Sequence, residues 1–207
     1  TIFAYGPTGT GKTYTMLGNQ DTPGLCTLTI QDIFQFIKKD SDNEYQVTIT
    51  YVEIYNETIR DLLVPHSTYL ELRDDPLKVN LNQNISNTFL QKFYSQNCYL
   101  KVMNLLFLGN KRRTTEATNA NQTSSRSHAV FQVTVNSRSR TKNTEQENLQ
   151  GKLSLIDLAG SERGTVTENR GIRLREGAKI NQSLLALANC INALGDKSKK
   201  GFFVPYR

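Results

Sequence analysis

Apolar and polar positions recur with two different periods along the chain, and each change of period marks an element. Thr1-Ile2-Phe3-Ala4-Tyr5 is a short apolar run leading straight into Gly6, which predicts a buried strand. Residues 12–17 predict the start of a helix, broken by the turn-rich stretch 18–24. Ile30, Ile33, Phe34 and Ile37 follow at i, i+3, i+4 and i+7, the spacing of an amphipathic helix. Between Tyr45 and Ile54 the period shortens to two: Val47, Ile49 and Tyr51 alternate with Gln46, Thr48 and Thr50, which predicts a strand. Short strands are predicted at 70–72 and 79–81, around the turn Asp74-Asp75-Pro76. Tyr99, Val102, Met103, Leu106 and Phe107 predict a helix closing at Gly109, with Lys111, Arg112 and Arg113 just past its negative end. Residues 110–125 read as polar loop, and Ala129, Phe131, Val133 and Val135 as the next strand. A charged connection over 137–150, read as a hairpin, leads into a strand at 153–156 that ends at Asp157. Ile180, Leu184, Leu187, Ile191 and Leu194 predict a long helix stopped by Gly195. Strands interleaved with helices imply a layered α/β domain around a central sheet.

Composition adds limits rather than a function. At roughly 150 residues per domain, 207 residues make one domain or a little more. Hydrophobic residues are 37% and charged residues 21%, enough for a core and against wholesale disorder. No apolar run reaches the roughly 18–20 residues of a membrane span, and no signal peptide opens the chain. The net charge of +6 admits an acidic partner without naming one. Cys26, Cys98 and Cys190 are odd in number and lack CxxC spacing, which argues against a disulfide framework or a zinc site and favours a reducing compartment. His66 and His128 are too few and too far apart for a metal centre. Both ends are apolar, 202–207 included, and an apolar terminus left in water is an exposed patch, so the chain is expected to be a piece of a longer domain.

The strongest local signal is Gly6-Pro7-Thr8-Gly9-Thr10-Gly11-Lys12-Thr13, which matches G-x-x-x-x-G-K-S/T between a predicted strand and a helix start. Glycines at these positions let backbone N–H groups wrap a di- or triphosphate, and the helix that follows points its positive end at the same anion. Lys12 would neutralise the β- and γ-phosphates, and Thr13 would place its hydroxyl on Mg2+. A glycine-rich turn before a helix is the plainer explanation; the strand in front favours the phosphate loop.

Two later segments narrow the purpose. Asn121-Gln122-Thr123-Ser124-Ser125-Arg126-Ser127-His128 is a hydroxyl-rich loop running into a strand. Asp157-Leu158-Ala159-Gly160-Ser161-Glu162 lies at the C-terminal end of a strand, where nucleotide sites form in open α/β sheets. Asp157 is placed to accept a bond from a water on Mg2+, and Gly160 offers a backbone N–H to a γ-phosphate. Arg126 and Glu162 can pair and so join the two loops. Taken singly, these features also read as a capped strand end and a surface ion pair. Taken together and in this order, GPTGTGKT, NQTSSRSH and DLAGSE resemble the motor domain of the kinesin family. Residues 51–57 and 59–63 resemble that family's strand segment on the filament side, 176–187 its relay helix, and 204–207 the start of its next filament-binding loop and helix.

The resemblance implies an α/β P-loop NTPase of kinesin motor type, with a central, mostly eight-stranded mixed sheet between helical layers. It makes 1–207 a partial motor domain, truncated at both ends and lacking the N-terminal strands and the C-terminal helices. It also implies ATP and Mg2+ as cofactors and hydrolysis coupled to binding and movement on microtubules. Ser125 takes the position whose hydroxyl joins the Mg2+ shell with Thr13 and, through water, Asp157; Ser124 takes the one that passes a proton from the attacking water. Arg126 and Glu162 match an ion pair that closes over the γ-phosphate, with Glu162 the proton acceptor through a second water. Such chemistry suits an in-line displacement that depends on placing water and spreading charge. Tyr14 matches a position that stacks on adenine. Loss of the γ-phosphate would free 161–179 and the helix behind it.

An acidic filament surface, which the resemblance implies, calls for cations on one face. Arg163, Arg170, Arg173, Arg175 and Lys179 precede the long helix, and Lys197, Lys199 and Lys200 follow it. A solvated charged loop would carry the same residues, but the two groups bracket one helix, which favours microtubule binding. Gln182 stands where relatives usually carry Lys or Arg, so the stripe Gln182, Asn189, Asn192 is uncharged and the flanking loops must carry the attachment. The motifs and the short loop 18–24 look most like the plus-end-directed, microtubule-depolymerising class, whose relatives include members acting in cilia. The implied setting is the cytoplasm and cytoskeleton, with a homodimer formed through regions outside this chain, and with neither nucleic acid nor membrane as a partner. A truncated or degenerate microtubule-binding module without productive ATP turnover is the alternative; intact Lys12, Thr13, Ser124, Ser125, Arg126, Asp157, Gly160 and Glu162 favour the motor. A P-loop ATPase acting on nucleic acid would use the net charge but lacks aromatic residues interleaved with basic ones. The chain on its own is expected to fold poorly and hydrolyse ATP weakly, because its sheet has an unfilled edge.

Overall fold

The structure, a computed structural model, describes residues 1–19, 21–65, 69–70, 88–90, 96–115, 125–140, 148–162 and 172–195; at 88–90, 96–98, 114–115 and 172–176 the description is limited to the backbone. In chain order the elements are β1 (Ile2–Ala4), α1 (Lys12–Leu17), α2 (Leu25–Lys39), β2 (Asn43–Tyr55), β3 (Thr58–Asp61), β4 (Tyr69–Leu70), β5 (Thr88–Leu90), α3 (Gln96–Thr115), β6 (His128–Ser139), β7 (Leu149–Asp157) and α4 (Ile172–Gly195).

One mixed sheet orders the strands β1-β7-β6-β2-β3-β4, with β5 on β2 beyond the end of β3. Period-two patterning accounts for its centre: β2 and β6 run antiparallel from Asn43↔Ser139 to Ile54↔His128, and β6 and β7 form the expected hairpin from Ala129↔Asp157 to Ser137↔Leu149. Beside them β1 lies parallel to β7, with Ala4 level with Asp157. The register therefore brings the end of β1, the start of β6 and the end of β7 to a single edge of the sheet. Loops that leave from there meet each other.

Alternation along β6 separates two faces. Ala129, Phe131 and Val133 join Ile49, Tyr51, Leu155 and the helix residues Met16, Ile30, Val102 and Leu106 in the buried core under α1, α2 and α3. Tyr51 and Phe131 meet edge to face, with centroids 5.9 Å apart. The opposite face turns His128 toward Ser183 of α4. Helices thus cover both faces, as the layered reading expects. The tight β2–β3 turn uses Asn56 and Glu57 at φ 50° and 68°, the left-handed pair of a two-residue hairpin.

Four expectations need correction. The apolar run at the start is not a buried strand: Ile2 is 46% and Phe3 40% exposed, and among the described residues β1 pairs only with β7. Gly109 does not close a helix; α3 continues through it to Thr115. A Cβ at 109 would lie 2.6 Å from Cδ1 of Tyr51, so the glycine is there to let the helix lie close on the sheet. Residues 110–115 are consequently helix, not polar loop, and α4 starts at Ile172, not near Ile180. Of the strand predicted at 70–72 only Leu70 lies in a described strand, and 79–81 lies outside the described residues. Among the described residues the sheet has seven strands.

Candidate nucleotide site

The loop after β1 takes its shape from its glycines. Gly9 and Gly11 both sit at φ 85°, and nothing lies within 4 Å of where their Cβ atoms would be. Backbone conformation, not space, demands glycine at both. Lys12, the first residue of α1, folds its ammonium over the loop, donating to the carbonyls of Gly6 at 2.9 Å and Pro7 at 2.8 Å. Thr13 Oγ1 donates to Asp157 Oδ2 at 2.7 Å, which joins the phosphate loop to the end of β7.

Backbone bonds draw in the other two loops. Ser161 N–H donates to Gly6 O at 3.1 Å, and Gly160 N–H to Ser125 O at 2.7 Å. Glu162 accepts from Thr8 twice, from the amide at 2.9 Å and from the hydroxyl at 2.6 Å. Partial burial pushes this carboxyl up, but the Thr8 hydroxyl and amide, backing from its own backbone and the charge of Lys12 outweigh that and leave it below its usual range. Gly6 to Thr13, Ser125, Asp157, Gly160 and Glu162 are thus brought to one place.

Not every expected partner is met in the way the sequence implied. Both Glu162 oxygens are turned to Thr8 rather than to Arg126, which sits half-buried beside Ser125, and the Gly160 N–H is given to Ser125. Ser124 lies outside the described residues, as do Arg163, Arg170, Lys197, Lys199 and Lys200; Arg173 and Arg175 are placed on α4 by backbone alone. Lys179 is described, and its ammonium lies 3.5 Å from Glu57 in the β2–β3 turn. Tyr14 presents its ring to solvent at 55% exposure, with its hydroxyl 2.6 Å from Thr22 Oγ1.

One residue of the site escaped the sequence reading. Arg113, fully buried, donates from Nη1 to Asp157 Oδ2 at 2.5 Å, from Nε to Ser127 Oγ at 3.1 Å and from Nη2 to Ser127 O at 2.8 Å. It locks the carboxylate at the end of β7 to the loop before β6. A single sequence offers no signal for this, since a cation in the last turn of a helix is ordinarily a solvated partner of the helix dipole. Asp157 Oδ2 is therefore shared between Thr13 and Arg113, while Oδ1 is buried and has no hydrogen-bond partner among the described residues. An orphaned acceptor beside a threonine hydroxyl and a lysine-bearing phosphate loop is the donor chemistry that a hydrated divalent cation on a nucleotide requires. Thr13, Ser125 and, through water, Asp157 are the residues that would hold Mg2+ here.

Comparison with known proteins agrees with this geometry. The family model described as the kinesin motor domain matches residues 1–207. Kinesin-like protein KIF19 of Homo sapiens is 55% identical over 208 residues, covering 100% of this chain and 20% of its own. Kinesin-like protein KIF18B of Gallus gallus is 47% identical over 207 residues, covering 100% of this chain and 25% of its own. Among solved structures, the KIF14 dimer in its two-heads-bound state with AMP-PNP in complex with a microtubule is 36% identical with a TM-score of 0.82, covering 98% of this chain and 57% of that one. The chain spans about a fifth to a quarter of the length of these curated relatives.

Proposed function

Because the chain belongs to the kinesin motor-domain family, we propose that it is the nucleotide-hydrolysing segment of an ATP-driven microtubule motor. The observation that carries this reading is the convergence of three loops, from Thr13 to Asp157, Ser161 to Gly6 and Gly160 to Ser125, at the edge where the sheet's register aligns them. Mg2+ would supply charge neutralisation between the β- and γ-phosphates. The chain's own groups do the rest. Gly9 and Gly11 shape a cradle of amides, and Lys12 leaves its carbonyl partners for the phosphates. Ser124 passes a proton from the attacking water toward Glu162. Once Glu162 exchanges Thr8 for Arg126, the pair closes the site over the γ-phosphate, and the Gly160 amide is released from Ser125 to meet it. Placement of water and distribution of charge then provide most of the rate.

The finer reading rests on the resemblance of the motifs and of the short loop 18–24. We assign the protein to the plus-end-directed class that shortens microtubules, acting as a homodimer on the cytoskeleton and, by the same resemblance, in cilia. Its filament contacts are Arg170, Arg173, Arg175, Lys179, Lys197, Lys199 and Lys200. Steady-state ATPase of the full-length protein, with and without microtubules, is the test. Stimulation by microtubules that disappears in Glu162→Ala supports the motor. Tight microtubule binding with no turnover supports the binding module instead.

A further inference from the structure

His128 opens β6 and is buried, yet it belongs to neither the phosphate loop nor the core beneath α1 to α3. Its Nδ1 lies 3.1 Å from the amide of Ala159, in the segment between Asp157 and Gly160. On the other side of the ring, Nε2 lies 2.8 Å from Ser183 Oγ on α4. Ser183 Oγ in turn donates to the carbonyl of Ile180 at 2.7 Å. These bonds have only one consistent direction. An amide can only donate, so Nδ1 must be the lone-pair nitrogen; the Ser183 hydrogen is committed to Ile180, so its oxygen must accept from Nε2–H. A neutral imidazole in one tautomer satisfies all three. Burial, reinforced by Arg113 and opposed by Asp157, lowers its pKa to about 4, which keeps the ring neutral near pH 7.

The ring is therefore a rigid bar between two segments on opposite sides of a strand end. One is the backbone that carries Gly160; the other is the helix that bears Lys179. The only ion pair that joins α4 to the sheet among the described residues, Lys179–Glu57, is exposed and 3.5 Å long, and pairs of that kind add little. We propose that His128 is a positioning residue that couples the 158–160 backbone to α4, so that displacement of that backbone by a terminal phosphoryl group is passed to the helix through Ser183. This rests on the motor reading above. A flexible side chain would absorb a small displacement, whereas an imidazole bonded at both nitrogens transmits it.

The test is amide hydrogen exchange over 180–187 in the full-length protein, with ADP and then with a non-hydrolysable ATP analogue, alongside fluorescent-nucleotide affinity and microtubule-stimulated turnover. Wild type should exchange differently in the two nucleotides. Ser183→Ala and His128→Asn, which keeps an acceptor for Ala159 but is too short for Ser183, should bind nucleotide within about twofold of wild type. Both should lose the nucleotide-dependent difference, and stimulation should fall about tenfold. Ser183→Thr, which restores the hydroxyl, should recover both, and the double variant should be no worse than either single one. Should His128→Asn fail to fold, Ser183→Ala against Ser183→Thr decides the matter. A Ser183→Ala protein that retains the exchange difference, or a wild type that shows none, overturns the coupling. A wild type that shows the difference but no microtubule stimulation overturns the motor reading and leaves the coupling in place.

Discussion

Two ion pairs in this molecule have the same chemistry and opposite circumstances. Arg113 and Asp157 meet at 2.5 Å with side chains 0% and 4% exposed, and the guanidinium also donates to the hydroxyl and the carbonyl of Ser127. Lys179 and Glu57 meet at 3.5 Å with side chains 41% and 50% exposed. Water cannot replace the partner in the first pair, so the geometry there is held; in the second water competes at every moment, so the partner is exchangeable. On the function proposed above, a phosphate-sensing edge needs carboxylate oxygens that do not wander, and a filament-gripping surface needs a cation whose present partner is cheap to leave.

The largest expected effect tests the buried side of that contrast. Arg113→Ala leaves Asp157 charged, buried and short of a partner, and should cost about 3–5 kcal/mol of stability by urea denaturation. An Arg113→Ala protein as stable as wild type would mean that water reaches the carboxylate and the contrast is false. Next in size is an acid effect at the same end of the sheet. Unfolded, the imidazole of His128 takes a proton near pH 6.5; folded, only at about 4, because burial and Arg113 oppose the charge. Between those values the unfolded chain binds more protons, so stability is full above pH 6.5 and falls as the pH drops toward 4. The loss should be about 2–3 kcal/mol, read from urea midpoints at a series of pH values, and His128→Asn should flatten that limb. Smallest is the exposed pair. Glu57→Gln should change stability by less than about 1 kcal/mol, while Lys179→Ala should weaken microtubule affinity and lower its dependence on salt. An affinity unchanged across a salt series would remove Lys179 from the filament surface.

Legibility followed the range over which each physical cause acts. The phosphate loop was plain because its chemistry is local: left-handed backbone at Gly9 and Gly11 and a lysine one residue later need no distant partner to be recognised. The β6–β7 hairpin was plain for the same reason, since alternation is written in consecutive residues. Gly109 misled because glycine has two uses, to end a helix or to let it approach, and only the Tyr51 ring on another strand separates them. Arg113 was read as a helix-end cation because that is what its neighbours suggest; its true partner lies 44 residues away.

By itself, the amino-acid sequence determined the family, the phosphate loop and the alternating strands, since motif spacing and hydrophobic period are properties of short stretches of chain. Tertiary structure alone decided which oxygen of Asp157 is occupied and which is left over, that Glu162 turns to Thr8, and that His128 spans from Ala159 to Ser183. Those facts depend on register and packing between segments far apart in the chain. Hydrogen bonds are too short in reach for a single sequence to say which distant groups will be brought within 3 Å of one another.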